Sequence, residues 1–317
     1  MEESTLPWRR RHRLAWRGLC AVLVLTLLLV GTALVLQQRL VGHLGRIDGA
    51  FNGLSDRPGV PAGRAGRAVN IVVLTVDDAA TPVTPAGVPA PDWVPRARHV
   101  DALTLLHIDG DRRGASSTAV PLTAVGDAVS DDPALLVTSI EQLTSIRVDH
   151  LMAMDWSGLS SLVDNAGGIP VDVNGQGRTT MDGTQVTAFV GQRDGLSDPT
   201  LDPLLRFQAV MRELMDDTLH TAFRKHPFAL YGVLDTISRS LSVDRGWTAT
   251  SMRGLGFSLR DLRSAGIDYL VVPTVPAAGT TVLDPALGPA FWTAVREDRV
   301  EAWVAEHPAV RVAPAVD

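Results

Sequence analysis

Cysteine is almost missing from this chain. The single one, Cys20, excludes a disulfide framework and a cysteine-held metal site. Basic blocks are absent beyond the N-terminus and the formal net charge is −6, so nothing supplies the positive patch that nucleic-acid binding favours. The eight histidines are scattered, none in HExxH or another metal-binding spacing. There is no P-loop, no GxGxxG after a strand and no GxSxG elbow. Internal repeats are lacking too, and compositional bias is confined to two segments rich in proline or glycine.

Against these absences one long apolar run stands out. Gly18 to Leu36 carries no charge. At 1.5 Å per residue it spans roughly 28 Å, about the thickness of a hydrocarbon core. Arg9, Arg10, Arg11, Arg13 and Arg17 precede it and Arg39 is the next charge after it. That asymmetry predicts a single-pass anchor in the cell membrane, with residues 1–17 as a cytoplasmic basic tail and the C-terminal domain extracytoplasmic. A cleaved signal peptide is the competing reading, and no convincing A-x-A site comes after the run. Cys20 then sits near the cytoplasmic end of the span.

Residues 37–68 read as a juxtamembrane segment, helical to about Ile47, followed by a Gly/Pro-rich linker from Asn52 to Ala68. The globular domain is expected over 69–275, with 276–317 as a C-terminal tail carrying one helix from Pro289 to His307. VNIVVLTV from Val69 is a β-branched run of buried-strand type that ends in Asp77-Asp78. Thr81 to Pro95 is a proline-rich loop, and HVDALTLLHIDGD is the next strand. Helical spacing marks 132–146, with Asp132 as a cap, then 157–168, closed by Gly167-Gly168, and Leu204 to Phe223. Pro227 to Ser242 and Ser251 to Ser264 read as further helices, and IDYLVVPTV as a strand. Strands alternate with helices, which predicts an α/β fold: a single domain with a central sheet flanked by helices, behind an N-terminal transmembrane helix.

Candidate chemistry gathers in two places. Asp77, Asp78 and Asp101 are carboxylates near strand ends, where open α/β sheets place ligands; the choice is between a magnesium site and solvated turn residues. Arg193 and Arg206 flank a loop rich in Gly, Ser, Asp and Pro. They form either an anion site, since a guanidinium fork matches phosphate geometry, or two surface arginines.

The run SIEQLTSIRVDHLMAMDWSGLSSLVDNAGGIPVDV, followed by MDGTQVTAFVGQR and LLRFQ, resembles the LytR-CpsA-Psr family, also called cell envelope-related transcriptional attenuator domains. The resemblance extends from about Asn70 through Pro273. It implies a membrane-anchored extracytoplasmic phosphotransferase. Such an enzyme moves glycopolymer from a polyprenyl-pyrophosphate carrier to peptidoglycan, with magnesium at Asp77 and Asp101. The pyrophosphate would be gripped by Arg193 and Arg206, with His99 and Gln208 at substrate-binding positions.

The departures fall on the charged positions. Where the family pattern has arginines, this chain has Ala79, His99, Leu122, Gly191 and Pro203; Arg193 and Arg206 are kept. The aspartate expected ahead of the last motif is displaced, with Asp198 and Asp202 as candidates. Five of seven arginines are lost by this alignment, and removal of one transition-state donor typically costs about 10² to 10³ in rate. Two functions stay open. One is a degenerate, non-catalytic member that binds polyprenyl-linked glycopolymer or acts as a scaffold. The other is an active magnesium-dependent phosphotransferase with a reduced cationic set.

Overall fold

A computed structural model describes residues 42–317 except 85, 96, 126, 127, 193, 226–234, 236, 237, 278, 279, 314 and 317; side chains are also undescribed at 217–225, 280 and 281. The chain divides into Met1–His43 and Leu44–Asp317, and every described strand lies in the second unit. The apolar run at 18–36 lies outside the described residues, among which no helix is long and apolar enough to cross a membrane.

The central strand β2 (Val69–Asp77) is buried along nearly its whole length. Period-two geometry sends Val72, Leu74 and Val76 to one face and Ile71 and Val73 to the other, so the sheet must be covered on both sides. β2 pairs antiparallel with β4 (His99–Ile108) and parallel with β6 (His150–Asp155). Beyond β4 stand β5 (Ala115–Val120), then β10 (Ile267–Val271) in parallel; beyond β6 stand β9 (Leu241–Asp244) and β1 (Gly45–Ile47). The two-residue strand β3 (Val88–Pro89) joins β4 from within the proline-rich loop. Hairpins β7–β8 (Ile169–Val173, Gly177–Met181) and β11–β12 (Thr274–Ala277, Thr280–Leu283) lie outside this sheet.

One face is covered by α1 (Pro133–Thr144), through Leu136, Val137 and Ile140. The Asp132 carboxylate caps it by accepting from the Ala134 N–H at 2.9 Å. The other face carries α2 (Trp156–Ala166), α3 (Gly183–Gly191), α4 (Asp202–Lys225) and, partly buried, α5 (Ala249–Ser258). α2 ends at Gly167, whose left-handed φ of 85° is the conformation that glycine adopts without penalty. Asp182 and Gln185 close α3 with a reciprocal capping box. The expected α/β fold, with a sheet flanked by helices, is therefore present.

Several expectations change. Residues 45–47 are an edge strand, not a helix, because Gly45 and Ile47 find the open edge of β9. Leu241 and Ser242 belong to β9; the rest of the helix expected from Pro227 falls mostly outside the described residues. α5 stops at Ser258. The helix expected over 289–307 is two, α6 (Leu287–Arg296) and α7 (Val300–Glu306), broken where Asp298 takes a left-handed φ of 57°. These helices are not a loose end. Phe291, Trp292, Val295, Trp303 and Val304 belong to the core on the α1 face. The chain then bridges from Arg311 to Leu270, covering the β10 edge that would otherwise stay open to pairing.

The Gly/Pro-rich segment before β2 is fastened to the domain. Arg57 holds the buried Glu141 of α1 through Nε and Nη2 at 3.0 and 2.6 Å, and also donates to the Val148 carbonyl. Breaking a buried ion pair of this kind costs about 3–5 kcal/mol, so this stretch is held as part of the fold.

Candidate functional site

β2 ends at Asp77 and β4 begins at His99, and antiparallel pairing sets the two side by side. A register shift between Thr75 and Val76 lets Asp101 approach the same end of the sheet. Asp77, His99 and Asp101 are thus brought together, and Asp77 and Asp101 are buried. The loop between the strands folds back over them. Ala79 and Val83 donate backbone N–H groups to the two Asp77 oxygens at 2.8 and 3.0 Å. Thr84 donates both its N–H (2.8 Å) and its hydroxyl (3.2 Å) to Asp101 Oδ1. His99 Nδ1 lies 3.3 Å from Asp77 Oδ1.

This arrangement separates the two acids electrostatically. Burial pushes Asp101 up to about 7, and its hydrogen bond with Asp77 adds to the rise against the opposing Thr84 contacts. Burial acts on Asp77 in the same direction. There the hydrogen bond from Asp101, the Val83 and Ala79 amides and His99 prevail and hold it below the usual carboxylate range. Asp101 Oδ2 is buried and no N–H or hydroxyl donor reaches it among the described residues.

A magnesium ion takes near-octahedral oxygen ligands at about 2.0–2.1 Å, usually with several waters. In this pair both Asp77 oxygens already accept backbone N–H groups, and Asp101 is sealed from solvent with Oδ1 held by Thr84. With the loop in this position, Asp77 and Asp101 do not fit the ion. Asp78, the third acid at this end, is exposed.

The five positions where the resemblance expects arginine each have a local account. Ala79 supplies a backbone amide to Asp77, and His99 pairs with the same acid. Leu122 is buried in the core of the α1 face, where an arginine would be an unpaired charge. A Cβ on Gly191, at the end of α3, would stand 2.6 Å from the Val83 carbonyl oxygen, so no side chain enters there unless the loop moves. Pro203 sits in the first turn of α4, where a missing N–H leaves no hydrogen bond unmade.

The retained residues part company. Arg193 lies outside the described residues. Arg206 is buried on α4; its Nη1 donates to the Phe189 carbonyl at 2.9 Å and its guanidinium covers the Phe189 ring at 4.8 Å. It ties α4 to α3. Gln208, fully buried, accepts from the Ser117 hydroxyl at 3.0 Å. Ser117 pairs with Leu106, five residues along β4 from Asp101, roughly 16 Å at strand rise. Gln208 therefore belongs to the layer between α4 and the sheet. Asp198 and Asp202 fold their own loop: Asp202 accepts from Ser197 and Asp198, and Asp198 from Thr200 and Leu201.

Two clefts lie elsewhere. One of about 320 Å³ is lined by Val69, His150 and Trp247 with α5, and one of about 470 Å³ separates the 53–58 stretch from α1. Sequence reasoning missed Val83, Thr84 and Gly87, the residues that close the acid pair. A Cβ on Gly87 would lie 2.5 Å from Asp101 Oδ1. Their only signal was a TPVTPAGVP run that reads as featureless loop.

The model of the LytR_cpsA_psr family matches residues 104–287, more than half of the chain. The cell wall biosynthesis protein LcpA of Corynebacterium glutamicum is 27% identical over 157 residues, which are 46% of this chain and 30% of that protein. The match thus spans about a third of the curated relative's length. Among solved structures, the LytR-Csp2A-Psr enzyme from Actinomyces oris aligns with a TM-score of 0.58 at 17% identity, over 80% of this chain and 95% of that one. TagT bound to LI-WTA aligns with a TM-score of 0.54 at 16% identity, over 78% and 98%. At these identities the likeness is one of fold.

Proposed function

Because the chain belongs to the LytR-CpsA-Psr family, we propose that it is a cell-envelope protein that has kept the family's ligand-binding scaffold and given up its phosphotransfer chemistry. It is anchored by residues 18–36, with its domain outside the membrane. It binds polyprenyl-(pyro)phosphate-linked glycopolymer or serves as a scaffold near peptidoglycan. The observation that carries this reading is the closed acid pair. Loop N–H and hydroxyl groups occupy the carboxylates that the resemblance gives to magnesium, and Gly191 lets that loop seat. Phosphoryl transfer depends on cations placed against developing charge. Here one retained arginine, Arg206, donates to the Phe189 carbonyl and covers the Phe189 ring. The glycopolymer assignment is supported by the names of the relatives, LcpA as a cell wall biosynthesis protein and TagT with bound LI-WTA.

The second reading, an active magnesium-dependent transferase, is favoured by the survival of Arg193, Arg206 and Gln208 in the motif itself. One pair of experiments separates the two. Full-length protein, purified in detergent, is analysed by mass spectrometry for co-purified polyprenyl phosphate. It is then incubated with magnesium and a polyprenyl-pyrophosphate-linked saccharide. Bound lipid without turnover is the expected result. Turnover that Arg193→Ala abolishes sinks the non-catalytic reading, and a lipid-free protein leaves only the scaffold role.

A further inference from the structure

At the opposite end of β4 from the acid pair, a second cluster forms around His107. Asn70 donates its amide Nδ2 to the Arg147 carbonyl at 3.0 Å, which turns Oδ1 toward His107 Nδ1 at 2.7 Å. Nδ1 is therefore the protonated nitrogen, and in the neutral ring Nε2 presents a lone pair. That lone pair faces two carboxylates: Asp298 Oδ1 at 3.2 Å and Asp109 Oδ1 at 3.8 Å. All three candidate ligand atoms lie within 4.8 Å of one another.

A cation at this point would meet all three groups at once. A proton on Nε2 would serve Asp298 and leave Asp109 unserved, since its carboxylate accepts no hydrogen bond among the described residues. Asp298 least needs the help. Its Oδ2 already receives Arg64 Nε at 2.7 Å and the Gly110 N–H at 3.2 Å. Asp109, whose Oδ1 stands 3.8 Å from His107 Nε2, is the acid short of a cation. Ser116, opposite His107 in the β4–β5 ladder, adds a buried hydroxyl with no hydrogen-bond partner among the described residues.

We propose that His107 Nε2, Asp109 Oδ1 and Asp298 Oδ1 hold a divalent transition-metal ion of the zinc class, with Ser116 or water completing the set. Tetrahedral bonds of about 2.0–2.2 Å place neighbouring ligand atoms about 3.3–3.6 Å apart; the two edges from His107 Nε2, 3.2 and 3.8 Å, bracket that range, and the edge between the two aspartates lies within 4.8 Å. The outer contacts are those a metal site uses. The imidazole N–H is fixed by a carbonyl, and the Asp298 carboxylate is oriented by Arg64 and a backbone amide. One nitrogen with oxygens selects a borderline ion over magnesium. The ion would join β4, the β4–β5 turn and the α6–α7 break, about 20 to 26 Å from the acid pair at six to eight residues of strand rise. Its role is to staple the fold, and it takes no part in phosphate chemistry.

The test is titration calorimetry of chelator-treated full-length protein with Zn²⁺, with Mg²⁺ as the control. Wild type is expected to take up one zinc at this site with micromolar or tighter affinity and to ignore magnesium. Asp109→Asn, which leaves the Arg64–Asp298 pair in place, weakens binding at least 10-fold with an unchanged circular dichroism spectrum. Asp111→Asn, beside Arg64 but outside the ligand set, binds as wild type. His107→Gln abolishes binding if it folds, and Asp109→Asn decides the matter if it does not. Absence of saturable zinc binding, or equal affinity in wild type and Asp109→Asn, overturns the proposal.

Discussion

The two ends of β4 pose the same problem and solve it differently. Each has a histidine and two aspartates drawn together, His99 with Asp77 and Asp101 at one end, His107 with Asp109 and Asp298 at the other. At the first end the chain's own loop answers the negative charge with N–H groups and a shared proton. At the second a guanidinium, Arg64, arrives from the segment before β2, and an unserved carboxylate remains. An amide can satisfy a lone pair but cannot neutralise a charge, and at the first end burial and the neighbouring Asp77 raise Asp101 to about 7. That is why the acid-pair end is the poorer cation site.

Four measurements break or sharpen this contrast. The largest effect is expected at the cationic end. Asp298→Ala strands Arg64 and His107 without their buried partner, and should cost about 3–5 kcal/mol in chemical denaturation. A loss under about 1 kcal/mol would mean that Arg64 contributes no more there than a surface arginine. Next is Arg206→Ala, which removes a buried charge-assisted hydrogen bond and a ring contact, worth about 2–4 kcal/mol together. If instead it leaves stability untouched and lowers carrier binding, Arg206 faces ligand and the acid end is a phosphate site after all.

Gly191→Ala should cost about 1–3 kcal/mol by overpacking against the Val83 carbonyl. Proteolysis within 78–87 should rise as the loop is displaced; an unchanged cleavage rate would mean that this glycine does not let the loop close.

Asp101→Asn should have the smallest effect. An amide reproduces the protonated acid, accepting from Thr84 and donating to Asp77. The sign comes from a folded-state value of about 7 against an ordinary 3.8. Asp101 leaves stability undiminished below about pH 4 and lowers it progressively from there to about pH 7, with no further loss above. The variant should therefore match wild type below about pH 4 and exceed it near pH 7 and above in melting temperature. A variant less stable at both would show that the acid is ionised in the fold.

Much of the architecture was written in local pattern. The alternation in VNIVVLTV, the Asp132 cap and the Gly167 stop need only neighbours in the chain, and all three appear where their chemistry puts them. β8 did not announce itself. GRTTM is polar and largely exposed, and it is a strand only because it pairs with β7. The candidate site was half legible. Strand ends put Asp77, His99 and Asp101 in view, but their partners are backbone amides, which every residue but proline carries and no side-chain motif records. Arg206 and Gln208 were visible as a motif, yet the structure turns one to Phe189 and the other to Ser117.

By itself, then, the sequence determined the covered sheet, its helices and the family, because periodicity, caps and side-chain charge are properties of the chain alone. Only the tertiary structure decided that the loop over Asp77 and Asp101 is shut, that 287–306 completes the core, and that His107 meets an aspartate 191 residues away. Those outcomes depend on which distant groups share a small, dry volume. There the cost of an unpaired charge is high enough to choose every partner.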